Sequence, residues 1–146
     1  KGDIRKHISE EMRSKFFELM WKTKFSNVEI TENYSASVIN NDGFECLGSC
    51  SAAERELLVL AFTLALHKES GFDGPLVIDT PISRISGDLR VAFAKVLRSV
   101  SQNKQIILFV TEDEYSVNVR DVFEPYANRK YKFELLGEDF VKVGVM

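Results

Sequence analysis

Leu76-Val77-Ile78-Asp79-Thr80-Pro81 and, after one helix-patterned segment, Gln105-Ile106-Ile107-Leu108-Phe109-Val110-Thr111 decide how this chain folds. Both are short apolar runs that end in polar residues. Strands without polar alternation are expected to be buried on both faces, the habit of parallel sheets. Between them, residues 87–100 place Leu89, Phe93, Val96, Leu97 and Val100 at helical spacing. Strand, helix and strand in this order predict a crossover that keeps the two strands parallel in one sheet. Parallel strands end on the same edge. Asp79 and Thr111 are therefore expected together, about 4.8 Å apart laterally if the strands are neighbours and about twice that with one strand between. Ligands of open α/β sheets gather at this edge. An Asp closing a strand is also common at plain turns, and Pro81 alone accounts for an extended exit at Thr80. Asp113 and Glu114 read as exposed loop charge.

Outward from this unit, residues 52–68 form a second helix, with Leu57, Leu58, Ala61, Leu64 and Ala65 as its buried stripe. Its start, Cys50-Ser51-Ala52-Ala53-Glu54-Arg55, has capping-box spacing: the Ser51 hydroxyl is set to accept from the amide of residue 54, and Glu54 to reach back to the amide of Ser51. The plain reading is a well-capped helix. The functional reading uses the same free amides and partial positive charge to hold a phosphate. Upstream, Val28 and Ile30 alternate with polar residues, Tyr34 to Ile39 is extended, and Asn40-Asn41-Asp42-Gly43 signals a hairpin turn before Phe44 to Leu47. A small antiparallel meander is expected. Residues 3–22 carry Ile4, Ile8, Met12, Phe16, Leu19 and Met20 at steps of three and four, the pattern of a core-packing helix or of a coiled-coil end. Tyr131 to Leu136 and Phe140 to Val145 are expected to close the chain as a β pair.

The composition fits one folded domain. The chain has 146 residues, 45% of them hydrophobic, and a formal net charge of −3. Apolar content of this order excludes disorder, and no apolar run approaches the roughly 18 residues a membrane span needs. The mild acidity argues against a whole-domain grip on nucleic acid. Arg84, Arg90, Lys95, Arg98 and Lys104 remain as a local basic strip, for which a solvated face is the plainer reading. Two cysteines, Cys46 and Cys50, are too few for a disulfide framework or a four-Cys zinc site. No Gly-x-x-x-x-Gly-Lys-Ser/Thr occurs: Gly43 and Gly48 have the glycine spacing, but Ser49 and Cys50 follow. Any phosphate cradle must lie on another segment, and with the start at Lys1 this leads us to expect a piece of a longer chain.

In this order and without a phosphate loop, the motifs resemble the C-terminal half of an ABC-type ATPase head. The resemblance is to the SMC-like group that includes SbcC and RecN, and most of all to the DndD family of DNA phosphorothioation systems. It implies an α/β fold: buried, mostly parallel strands with helices, a small antiparallel β unit, and residues 1–24 as the end of a returning coiled-coil arm before an ATPase lobe over 25–146. Cys50-Ser51-Ala52-Ala53-Glu54 matches the signature usually written Leu-Ser-x-Gly-Glu, which implies that Ser51 contacts the γ-phosphate of ATP held by the opposite subunit. Leu76-Val77-Ile78-Asp79 looks like Walker B, with Asp79 organising Mg²⁺. Ser83-Arg84-Ile85-Ser86 sits at the D-loop, Ser86 where an Asp is usual. Thr111 stands at the switch position, commonly His, and Thr80 where the catalytic Glu is usual.

The implied partners are the Walker A half of the same protein, a second copy joined through an ATP sandwich, and DNA. A cytoplasmic, membrane-free location goes with them. Ala53 in place of the signature Gly, Thr80 and Ser86 leave open a degenerate lobe that dimerises without turnover. A transporter nucleotide-binding domain fits the leading helix and meander less well.

Overall fold

The computed structural model describes residues 2–20, 24–79, 85, 88–137 and 140–146. Trp21, Thr80, the 81–84 segment and Ser86 lie outside them. Helix α1 spans Gly2–Leu19, strand β1 Phe25–Ile30 and strand β2 Ala36–Asn40. Helix α2 runs Ala52–Glu69, strand β3 Leu76–Asp79, helix α3 Asp88–Ser101 and strand β4 Ile106–Phe109. A short helix α4, Val117–Phe123, and the hairpin β5 (Tyr131–Leu135) and β6 (Val141–Val145) complete the chain. The order is the expected one, with α4 added. Its seven residues are too few to register as a helical period.

Strands β3 and β4 pair in parallel, Leu76 to Ile106, Val77 to Ile107, Ile78 to Leu108 and Asp79 to Phe109. The crossover through α3 is thus present. Burial on both faces is not. Leu76, Ile78, Ile106 and Leu108 face the core, whereas Val77, Ile107 and Phe109 are 57%, 38% and 41% exposed. The sequence pattern describes a strand with two apolar faces, and within this chain only one of them is covered.

The hairpin β5–β6 repeats this. Tyr131, Phe133 and Leu135 stand opposite Val145, Val143 and Val141. All six are exposed. The Phe133 ring meets Phe109, centroids 6.2 Å apart, so the apolar face of the hairpin adjoins the outer face of β4.

The core lies where α1, α2, α3 and the β1–β2 hairpin meet. Met12, Phe16 and Leu19 of α1 join Leu57, Ala61 and Leu64 of α2, Val28 and Val38 of the hairpin, and Phe93, Val96 and Leu97 of α3. Ile4, the first apolar position of α1, is 62% exposed, so the stripe is buried from Met12 onward. Lys68 of α2 binds Glu11 of α1 at 2.7 Å, and that carboxylate raises the Lys68 ammonium above its ordinary pKa.

The Asn40–Gly43 turn forms as expected. Gly43 takes φ 85°, and Asn40 Oδ1 accepts from the amides of Asp42 and Phe44. Phe44 to Leu47 does not form a third strand. One bridge, Ile39 to Glu45, is followed directly by a 3₁₀ turn over Leu47–Ser49 that brings the chain to α2.

Phe93 has no exposed surface and sits where α3 meets the core. Phe93→Ala is expected to cost about 3–5 kcal/mol of folding stability. Chemical denaturation of the complete protein with circular dichroism detection checks it. A loss under about 1 kcal/mol would mean that α3 is not a core element.

Candidate functional site

Two groups of candidate residues emerge, on different elements. The first is the edge beyond β3 and β4. Because Asp79 pairs with Phe109, Asp79 closes its strand level with the end of β4, and Thr111 follows two residues later on that edge. Both are exposed. The sequence expectation that they share an edge holds, and the strands are direct neighbours.

Thr111 opens a closed turn. Its amide donates to Glu114 Oε2 at 2.9 Å, its hydroxyl donates to the same oxygen at 3.2 Å, and the Glu114 amide donates to Thr111 Oγ1 at 3.3 Å. The amide of Tyr115 returns to the Thr111 carbonyl at 3.0 Å. Glu114 is 2% exposed, so it is not the exposed loop charge expected from sequence. The signal was present: Thr111-x-x-Glu114 has the spacing of Ser51-x-x-Glu54. A run of three acidic residues suggests solvent, yet one of them turns inward because it closes the turn. The Thr111 hydroxyl is committed to that turn, so its proton already has an acceptor.

The second group is the start of α2. The capping box forms as expected: Glu54 N donates to Ser51 Oγ at 3.2 Å, and Ser51 N donates to Glu54 Oε2 at 2.7 Å. Ser51 serves there as an acceptor and keeps its hydroxyl proton for an outside oxygen. The amides of Ala52 and Ala53, at the first two helical positions, have no intrahelical acceptor in any α-helix. A hydroxyl donor and two backbone donors therefore gather at the positive end of an 18-residue helix. The Glu54 carboxylate would oppose an anion there, but its other oxygen lies 3.4 Å from Lys24 Nζ. Ala52 is exposed, whereas Ala53 packs against the core. The Ala53 methyl is thus turned toward protein.

Arg55 supports this group in a way that spacing did not predict. Its Nε donates to the carbonyl of Cys50 and its Nη2 to that of Gly48, both at 3.0 Å. The guanidinium fork fixes the loop that leads into the helix. Cys50 is buried beneath it, with Sγ 3.5 Å from the Cys46 carbonyl. Burial first, then the Glu54 charge, push its thiol pKa up, so it stays protonated. A protonated thiol is a poor metal ligand. No cluster of three His, Cys, Asp or Glu suited to a metal exists among the described residues. A Mg²⁺ at Asp79 would have one protein carboxylate, which suits an ion that usually keeps its waters and takes substrate phosphates.

No hydrogen bond or ion pair joins the two groups among the described residues. The basic strip also dissolves into separate tasks. Arg98 lies over the Tyr126 ring at 3.6 Å, Lys104 caps the carbonyls of His67 and Phe72, and Arg90 binds two loop carbonyls. Only Lys95, in this set, stands on an exposed face without one of these bonds among the described residues. The candidates Thr80 and Ser86 lie outside the described residues.

No protein-family model and no curated protein matches this chain. Solved structures do. A structure from work on ATP-driven dimerisation and DNA-stimulated activation of SMC ATPases aligns over 97% of this chain and 84% of its own, with a TM-score of 0.71 and 18% identity. An SmcHead bound to the C-winged helix domain of ScpA aligns over 97% of this chain and 43% of its own, with a TM-score of 0.73 and 16% identity. The SMC head domain from Thermotoga maritima aligns over 99% of this chain and 51% of its own, with a TM-score of 0.67 and 16% identity. The chain spans about half or less of the last two. It has the fold of the C-terminal lobe of SMC ATPase heads.

Glu114→Ala removes the acceptor of two Thr111 donors and empties a buried space. It is expected to lower stability by about 1–3 kcal/mol. Glu114→Gln, which keeps an acceptor oxygen, is expected to cost less. Denaturant melts of both variants check the ranking, and equal stabilities for Ala, Gln and wild type would mean the turn is not held by this carboxylate.

Proposed function

We propose that this chain is the C-terminal half of an ATP-dependent SMC-like head that acts on DNA, and that the DndD-like members are its nearest functional kin. The observation that carries the reading is the parallel β3–β4 pairing, which brings Asp79 and Thr111 to one edge, in a chain whose α2 starts with capped signature spacing. Asp79 takes the Mg²⁺-organising role and Ser51, with the amides of Ala52 and Ala53, the phosphate contact made across a dimer. Mg²⁺ supplies charge neutralisation at the phosphates when bound. Cys50 and Glu54 hold the loop and cap that present Ser51. Thr80 and Ser86 hold the sequence positions of the catalytic Glu and the D-loop Asp on this reading.

A complete site also needs a Walker A half. The uncovered apolar face of β3–β4 and the adjoining face of β5–β6 support its docking there. An apolar face left uncovered on a folded chain marks an interaction surface, and two of the SMC heads of similar fold carry about as much chain again or more. Helix α1 then serves as the base of a returning coiled-coil arm, supported by its exposed Ile4 end. A cytoplasmic location goes with this reading of the whole protein. No described helix is long and apolar enough to cross a membrane.

A non-hydrolysing form of the same lobe is favoured by one observation, the commitment of the Thr111 hydroxyl to its own turn. Thr also stands at 80, so neither the position where a catalytic Glu is usual nor the one where a switch His is usual carries that residue.

Two variants of the complete protein test the reading. Asp79→Ala is expected to reduce Mg-ATP hydrolysis by about 10²-fold or more. Hydrolysis unaffected by Asp79→Ala would remove the Walker B assignment. ATP binding and dimerisation in the wild type without turnover would select the non-hydrolysing form. Ser51→Arg places bulk and charge at the phosphate contact, and is expected to abolish ATP-dependent dimerisation in light scattering. Dimerisation equal to wild type would remove the signature assignment.

A further inference from the structure

Arg90, in the first turn of α3, reaches two connections at once. Its Nε donates to the carbonyl of Ile85 and its Nη1 to the carbonyl of Asp113 at 3.1 Å. Ile85 belongs to the connection that leaves β3 after Asp79. Asp113 belongs to the turn that leaves β4 and carries Thr111. One guanidinium thus joins Ile85, six residues after Asp79 in sequence, to the turn that carries Thr111.

Both anchor points are stiff. Ile85 is 1% exposed and is a member of the core. Asp113 lies inside the turn closed by Thr111 and Glu114, so a force on its carbonyl moves the turn as a body. The acceptors are main-chain carbonyls, and no described ion pair uses Arg90. A planar fork with donors at fixed angles suits two separate carbonyls, and a lysine ammonium does not reproduce it.

We propose that Arg90 is a positioning residue that holds the Thr111 turn at a set offset from the connection after Asp79, so that the two connections respond to nucleotide as one unit. This rests on the ATP-head reading above. Arg90 itself touches no nucleotide. Its removal therefore leaves binding in place and uncouples the later steps, turnover and head dimerisation.

The test uses the complete protein with Arg90→Ala and Arg90→Lys in three measurements. Hydrogen exchange without nucleotide is expected to quicken about 5-fold or more at residues 111–116 in Arg90→Ala, with α2 unchanged. A fluorescent ATP analogue is expected to bind within about 3-fold of wild type, while kcat, or ATP-induced dimerisation if turnover is absent, falls about 10-fold or more. Arg90→Lys is expected to lie between, and it carries the test if Arg90→Ala does not fold. Unchanged exchange at 111–116 overturns the proposal. So does faster exchange throughout the chain, which marks a residue needed only for folding, and so does faster local exchange with normal turnover and dimerisation. A wild type that binds no nucleotide overturns the head reading instead, and local exchange then still decides whether Arg90 joins the two connections.

Discussion

Parallel pairing of β3 with β4 is the constraint on which the rest depends. Two parallel neighbours cannot be joined by a tight turn, so the chain must travel back along the sheet, and α3 is that return. The return buries one face of the pair under helices and directs both strand ends to one edge. Asp79 and Thr111 meet there because of backbone direction, without any bond between them. The same pairing explains the outer face. A two-stranded parallel ribbon with apolar residues on both sides is incomplete in itself, and here Val77, Ile107 and Phe109 remain on the uncovered side.

A second device recurs at both candidate sites. Ser51 with Glu54 and Thr111 with Glu114 each form a reciprocal bracket, hydroxyl to amide one way and carboxylate to amide the other. The outcomes differ. At Ser51 the hydroxyl is an acceptor only, an 18-residue helix follows, and donors point outward. At Thr111 the hydroxyl also donates into the bracket and the turn stops short of a helix. One bracket presents a donor and the other fixes a loop. Arginines steady the backbone beside each bracket, Arg55 through Gly48 and Cys50 and Arg90 through Ile85 and Asp113.

Much of this was legible in the sequence, and the failures have physical causes. The capping box, the Asn40–Gly43 turn and the shared edge follow from local rules, since spacing alone decides which atoms meet. The open face of β3–β4 was not legible, because an apolar residue records the environment it prefers and not the partner that supplies it. Glu114 was misread for the converse reason. Charge predicts solvent on average, but a carboxylate three residues after a Thr has that residue's amide and hydroxyl within reach, and those offset its burial. Arg90 and Arg55 carried no sequence signal of their role. Their acceptors are main-chain carbonyls, which every residue has, so nothing in the letters distinguishes a clamp from a solvated cation.

The separation of the two groups has a thermodynamic consequence on the proposed reading. The α2 start offers a few neutral donors, and the Glu54 carboxylate beside them is balanced by Lys24. That is a weak anion site alone. The β3–β4 edge offers Asp79, an acceptor that repels phosphate until a cation intervenes. On that reading the α2 start and the β3–β4 edge of one copy serve different nucleotides, as the signature and Walker B of an ABC-type head do. A nucleotide that touches both must sit between copies. The share of its binding free energy that the α2 start supplies then appears only when the copies meet, so nucleotide binding and head association are linked through that share. Weak half-sites are what make that linkage tight. A site that needed nothing from a second copy would bind ATP without any reason to dimerise.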